Sequence, residues 1–269
     1  MSDRDLTHRL EIAQRIAKQA GEFVMGYFAQ NVAVQRKSDD SPVTIADREA
    51  ELLLRREIEA VFPDDTILGE EHPTREGTSA YRWILDPIDG TKSFIAGVPL
   101  FGTLIGIQRE SESMIGVIEL PGLRQRISAC VGQGAWWQCG EAPPQAAIVS
   151  ACSDLAEGLY LTSEVKSFAD RGAAEVHSQL EQAAWYARTW GDCYGYFLVA
   201  TGRAIAMVDP IMNVWDAAAL LPILTEAGGG YTDWAGTPSI DHGEGIGCNG
   251  RVLEQILQIT RPFAKHPRN

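Results

Sequence analysis

Leu10, Ala13, Ile16, Ala17, Ala20, Phe23, Val24 and Tyr27 recur at every third or fourth position, the spacing that gathers apolar side chains on one face of a helix. The pattern predicts an amphipathic helix that ends near Phe28, followed by a polar loop over residues 35–42. A second helix is predicted from about Ala46 to Val61, stopped by Pro63. Ile67-Leu68 and Arg82–Asp86 read as short strands that run into acidic residues. Between residues 99 and 138 the chain changes character. Thr103–Gln108, Met114–Leu120, Arg124–Val131 and Gly134–Gln138 are β-rich segments parted by Gly, Pro and charged turns, which predicts a meander.

Ala142–Pro144 reads as a boundary between halves. Beyond it the pattern alternates: a strand at Leu159–Leu161, a helix over 167–184, a strand over Trp185–Thr189, a helix over 193–201 and a strand over 204–208. A helix over 216–227, which Pro222 should kink or delay, and a C-terminal helix from about 251 follow. Strands and helices alternating after a β-rich middle imply stacked sheet and helix layers, an α/β (α+β) fold. The expected organisation is an N-terminal half, 1–142, and a C-terminal half, 143–269.

Composition changes this picture little, but it removes alternatives. The net charge of −13 argues against a nucleic-acid partner, since backbone phosphates are held by Lys and Arg. Apolar runs fall short of a membrane span, and the charged N-terminus lacks the apolar centre of a secretory signal, so the expected compartment is the cytoplasm. Five scattered cysteines without a Cys-x-x-Cys pair make a disulfide framework or zinc ribbon a poor reading. The acidity itself reads either as plain solubility or as carboxylates awaiting cations.

Four segments bear on that choice. In residues 83–94, an apolar strand runs into Asp86-Pro87-Ile88-Asp89-Gly90-Thr91. Both aspartates can face one space beyond the strand end, and amides at a following helix start suit a phosphate; a plain strand, turn and cap is the alternative. Glu70-Glu71 follows a short strand and alone reads as a solvated loop. Asp47 lies in Thr44-Ile45-Ala46-Asp47, which also reads as a capping box. Asp216 opens an apolar helix after Trp215, where an acid is favoured by the helix dipole alone.

Together these segments resemble the inositol monophosphatase family of metal-dependent, lithium-sensitive phosphatases. The likeness rests on Gly69-Glu70-Glu71, the Asp86–Thr91 run, Trp215-Asp216 and Glu226-Ala227-Gly228-Gly229, with Asp47 upstream, and it covers nearly the whole chain. It implies the layered αβαβα sandwich shared with fructose-bisphosphatases, a homodimer, and roughly two to three Mg²⁺ ions per site. It implies that Glu70, Asp86 and the Ile88 carbonyl hold one ion and that Asp86, Asp89 and Asp216 hold another. A weaker third would lean on Glu70. Asp47 and Thr91 would activate the attacking water, and Gly90 and Thr91 would bind phosphate. The N-terminal half would then carry the metal site, and the C-terminal half would supply Asp216 and choose the alcohol. Mg²⁺ suits such a set, because it prefers a few carboxylate oxygens plus water and substrate phosphate.

The substrate side departs from the inositol pattern. Asp192, in Arg188-Thr189-Trp190-Gly191-Asp192, stands where the inositol enzymes carry a small residue. With Asp209-Pro210 and Lys92–Ile95 it resembles the branch that hydrolyses histidinol phosphate. Asp192 and Asp209 would face a cationic amine and Asn213 a ring nitrogen, while Arg188 would neutralise Asp192 or face the phosphate. A helix cap at Asp192 and an inositol phosphate substrate stand as alternatives. A covalent aspartyl phosphatase would need Asp-x-Asp where this chain has Asp86-x-x-Asp89, and a chain that kept only the fold should have lost one of the site residues. The apolar Trp136-Trp137 pair is a candidate for a dimer contact or for the core.

Overall fold

The computed structural model describes residues 3–30, 33–36 and 42–266. Helix α1 (Asp3–Met25) starts earlier than its apolar spacing suggests, and α2 (Ile45–Val61) matches its predicted span. Between them β1 (Gln35–Arg36) pairs with β2 (Pro42–Val43); the rest of the predicted polar loop lies outside the described residues. The meander is a seven-stranded sheet. Its strands are β3 (Thr66–Gly69), β4 (Tyr81–Asp89), β5 (Gly102–Arg109), β6 (Glu112–Leu120), β7 (Gln125–Cys130), β8 (Ala135–Cys139) and β9 (Gln145–Ala146). β3 lies parallel to β4, and every later neighbour is antiparallel. β9 extends this sheet past Ala142–Pro144.

The second sheet has five strands in the order β11-β10-β12-β14-β13. They are β10 (Leu159–Leu161), β11 (Tyr186–Arg188), β12 (Ala206–Asp209), β13 (Gly230–Thr232) and β14 (Gly245–Cys248). The last two were not predicted. The predicted helix over 167–184 is two helices, α4 (Val165–Asp170) and α5 (Ala174–Ala183), broken at Gly172, whose φ of 78° is left-handed. The predicted helix over 216–227 is likewise α7 (Val214–Ala217) and α8 (Leu220–Glu226). Pro222 sits in the first turn of α8, where its missing N–H costs nothing. Helices α3 (Thr91–Ile95), α6 (Cys193–Ala200) and α9 (Leu253–Thr260) complete the set.

Alternation along the strands assigns the layers. Ile105, Ile107, Ile115 and Val117 point to α1 and meet Ala13, Ile16, Ala17 and Ala20. Leu104, Ile118 and Ile127 point the other way, into a core with Phe197 of α6, Leu220 and Leu224 of α8, and Met207 of the second sheet. Phe168, Val176, Leu180, Ile256 and Leu257 cover that sheet's outer face with Trp234. The order is helices, sheet, helices, sheet, helices, and the central helices share one core with both sheets. Among the described residues no helix is long and apolar enough to cross a membrane.

One packing detail places the site. Gly106 and Gly116 face each other across β5 and β6. A Cβ on Gly106 would come within 2.5 Å of the Ala218 Cβ, and one on Gly116 within 2.1 Å of the Ala219 carbonyl oxygen. The paired glycines make a dent in the sheet, and the chain just after Asp216 settles into it.

Candidate active site

β4 carries the first two acids. In a regular strand Asp86 and Asp89, three apart, would face opposite sides. The ladder to β5 shifts between Asp86↔Leu104 and Asp89↔Gly102, a bulge centred on Pro87-Ile88. The strand therefore runs on past Asp86, where the sequence pattern ended it, and through Pro87 to Asp89. Pro87 sits in the bulge, where its carbonyl accepts from the Thr103 hydroxyl at 2.8 Å. The extra residue turns both carboxylates to one side. Asp216, brought in by α7, joins them, and ligand oxygens of Asp86, Asp89 and Asp216 lie within 4.8 Å of one another. Glu70, at the end of β3, lines the same cleft of about 540 Å³.

Each of these aspartates is oriented by a single residue, Asp89 by both the N–H and the thiol of Cys193 and Asp216 by both the N–H and the side chain of Asn213. The Ile88 N–H donates to Asp86 Oδ1 at 3.1 Å, the Cys193 N–H to Asp89 Oδ2 at 2.5 Å, and the Asn213 N–H to Asp216 Oδ2 at 2.6 Å. Burial, then the charges of Glu70, Asp89 and Asp216, hold the Asp86 carboxyl well above its ordinary range. Burial and the charges of Asp192 and Asp216 do the same to Asp89. Asp216 is pushed up to about 7, chiefly by burial and against the Asn213 bond. Carboxylates crowded this way favour a bound cation or a shared proton. An all-oxygen donor set with a backbone carbonyl beside it suits a hard divalent ion.

Asp47 does two jobs. Its Oδ2 accepts from the Thr44 N–H at 2.8 Å and the Thr44 hydroxyl at 2.6 Å, which is the capping box at the start of α2. Its Oδ1 is 3.3 Å from the Thr91 hydroxyl, which also lies 3.1 Å from the Ile88 carbonyl. The capping and catalytic readings of Asp47 thus describe opposite oxygens of one carboxylate. Gly90 holds a φ of 87° before α3, and a Cβ there would lie 2.9 Å from Asp192 Oδ2.

The substrate-side residues divide. Asp192 lines the cleft and precedes α6 without a side-chain cap bond, and the N–H of the first helical residue, Cys193, goes to Asp89. Burial and the Asp209 charge push it to about 6. Asp209 lines the cleft wall too, but its oxygens accept from the Thr162 hydroxyl at 3.1 Å, the Ser163 N–H at 2.8 Å and the Tyr196 hydroxyl at 2.8 Å. Asn213 lines the cleft and fixes Asp216. Arg188 stands outside it, exposed on β11, with its guanidinium on the Ala187 carbonyl at 2.7 Å. Trp137 packs edge-on against Phe197, whereas Trp136 is 47% exposed.

Sequence reasoning missed two supports. Glu51, fully buried, takes the Arg55 Nε at 2.7 Å, the Glu71 N–H at 2.7 Å and the His72 N–H at 3.2 Å, fixing the loop that carries Glu70. Its signal was an acid on the apolar face of α2. The other is the ion pair between Lys92 and Glu164, 2.6 Å across the cleft mouth, which no local pattern announces.

Comparison with known proteins agrees with this geometry. Residues 5–263 match the model of the inositol monophosphatase family. A histidinol-phosphatase of Chlorobaculum parvum is 43% identical over 90% of this chain and 92% of its own. One from Mycobacterium tuberculosis is 34% identical over 96% and 98%. The solved structure of a Thermotoga maritima IMPase superposes with a TM-score of 0.85 at 28% identity, over 95% of this chain and 98% of its own. The bulged aspartate pair, the third aspartate behind the glycine dent and the match over the chain's length lead to one statement: this protein belongs to the inositol monophosphatase family.

Proposed function

We propose that the protein is a Mg²⁺-dependent phosphomonoesterase that converts L-histidinol phosphate and water to L-histidinol and phosphate. The observation that carries the metal chemistry is the convergence of Asp86, Asp89 and Asp216 within 4.8 Å, each held from one side by a single residue. Asp86, Asp89 and Asp216 would hold one ion, and Glu70, Asp86 and the Ile88 carbonyl another. When bound, Mg²⁺ supplies charge stabilisation for the phosphoryl oxygens and lowers the pKa of a coordinated water.

The chain's own groups do the rest. If the Ile88 carbonyl is engaged by a cation, the Thr91 hydroxyl keeps Asp47 Oδ1 as its acceptor. Thr91 then orients the attacking water and passes a proton to Asp47, whose other oxygen stays fixed by Thr44. Gly90 and Thr91 flank the place for the phosphate. Asp192, bare of cap bonds and facing the cleft, meets the substrate ammonium, and Asn213 is placed for the ring. Asp209 shapes the wall through Ser163 and Tyr196.

Three histidinol-phosphatases among the relatives support the substrate. Phosphate release from a panel of L-histidinol phosphate, inositol 1-phosphate and fructose 1,6-bisphosphate tests it. Preference for the first is expected, and equal turnover of all three would reduce the reading to a general phosphatase. We also infer a homodimer, supported by Trp185, 70% exposed beside edge strand β11. A single-chain mass by light scattering would contradict it.

A further inference from the structure

Seven acids and one cation line the described cleft: Lys92 stands against Glu70, Asp86, Asp89, Glu164, Asp192, Asp209 and Asp216. A bound cation would answer the inner group. At the mouth the balance falls to Lys92, Glu164 and Asp192. Lys92 follows Thr91 on α3, and its Nζ meets Glu164 Oε2 at 2.6 Å. Ser167 donates to the same oxygen at 3.2 Å. Glu164 follows Ser163, whose N–H is anchored on Asp209. The two charges thus reach toward each other from the two halves of the molecule, each from an anchored segment.

We propose that this ion pair is exchanged for substrate: Lys92 turns to the phosphate, Glu164 joins Asp192 at the ammonium, and the pair thereby selects amino-alkyl phosphates. The proposal rests on the substrate reading above and adds the residues that enforce it. An anion without its own cation would draw Lys92 away and strand Glu164 beside Asp192. A substrate carrying both charges replaces each partner with an equivalent one. The side chains are 65% and 43% exposed, and solvated pairs of this kind contribute little to stability, so opening the pair is cheap.

The test is kcat/KM for L-histidinol phosphate and for inositol 1-phosphate in wild type, E164Q, K92M and the charge-swapped K92E/E164K. E164Q should lower the ratio of the two about ten-fold, through KM on histidinol phosphate, as loss of a charge-assisted contact does. K92M should lower both substrates together, leaving the ratio within about two-fold. The swapped variant rebuilds an ion pair but sets a carboxylate against the phosphate. It should fall below both single variants on histidinol phosphate, whereas a merely structural strap would be restored. A wild type without preference overturns the substrate reading and the exchange with it. A preference that E164Q leaves intact, or wild-type activity in the swapped variant, overturns the exchange alone.

Discussion

Asp65 and Asp86 are both 2% exposed. Asp65 accepts from the Arg9 guanidinium at 3.0 Å, the Ser79 hydroxyl at 2.6 Å and the Trp83 indole at 2.9 Å. Asp86 accepts from one N–H and faces Glu70, Asp89 and Asp216. Glu51, Asp233 and Glu244 follow the first pattern, saturated by N–H groups and by Arg55, His242 and Arg171 respectively. Asp89 and Asp216 lean toward the second, each held by one residue, Cys193 or Asn213, and facing like charges. A buried carboxylate supplied with donors is a structural part. A cluster left with spare lone pairs, all turned to one side, is arranged for a cation that the fold itself does not provide.

Substitution should separate the two kinds in opposite directions. Asp86→Asn or Asp89→Asn is expected to lower kcat/KM at least about 10³-fold, since the displacement loses its charge stabilisation. The same variants should melt no lower than wild type without metal, because neutralising one acid relieves burial and repulsion. A metal-free melting loss in either variant would place these aspartates with Asp65. Thr91→Val, which keeps shape and removes the hydroxyl, should cost about 10²–10⁴ in kcat by the usual scale of general base catalysis. Little change would remove Thr91 from proton transfer. Asp65→Asn should destabilise by about 1.5–3 kcal/mol by taking charge-assisted hydrogen bonds from buried Arg9 and leaving Asp5 as its counter-charge, with activity per folded molecule retained. A denaturant titration alongside initial rates reads both.

What was legible in the sequence follows the same division. Asp86, Asp89, Asp216, Glu70 and Asp47 were visible because strand ends and helix starts do not need so many acids in those places. The bulge that aligns Asp86 with Asp89 was not, since it depends on register with β5. The dent at Gly106 and Gly116 was hidden too: each glycine sits in an apolar strand, and only pairing brings them together. β13 and β14 escaped notice because Gly230–Thr232 and Gly245–Cys248 are short and lack alternation. The breaks in the helices predicted over 167–184 and 216–227 lie where apolar spacing carries across a turn. Local patterns report elements and chemistry; cross-strand approach and helix seating are tertiary.

pH sharpens the comparison. Asp216, at about 7 against an ordinary 3.8, binds more protons folded than unfolded between those values. Stability of the metal-free protein should therefore fall as pH rises from about 4 to about 7. Mg²⁺ should raise the melting temperature by a few °C, on the order expected for ligand linkage, and more at pH 8 than at pH 5.5. An equal rise at both would contradict proton competition in the cluster. Glu119, away from the cleft, gives a smaller effect of the same sign. Burial, partly offset by Arg126, pushes it up to about 7 from 4.5, and its Oε2 lacks a hydrogen bond. Glu119→Gln should stabilise by about 1–2 kcal/mol at pH 8 and by nothing near pH 4.5, where the carboxyl is protonated in the fold. A pH-independent change would mean that packing, not charge, governs that position.

Phosphate release from L-histidinol phosphate by protein stripped with a chelator, measured before and after Mg²⁺ is returned, tests the central claim most directly. The Asp86, Asp89 and Asp216 cluster predicts no turnover before and full recovery after, with Asp89→Asn silent in both. Full turnover by the stripped protein would contradict the account.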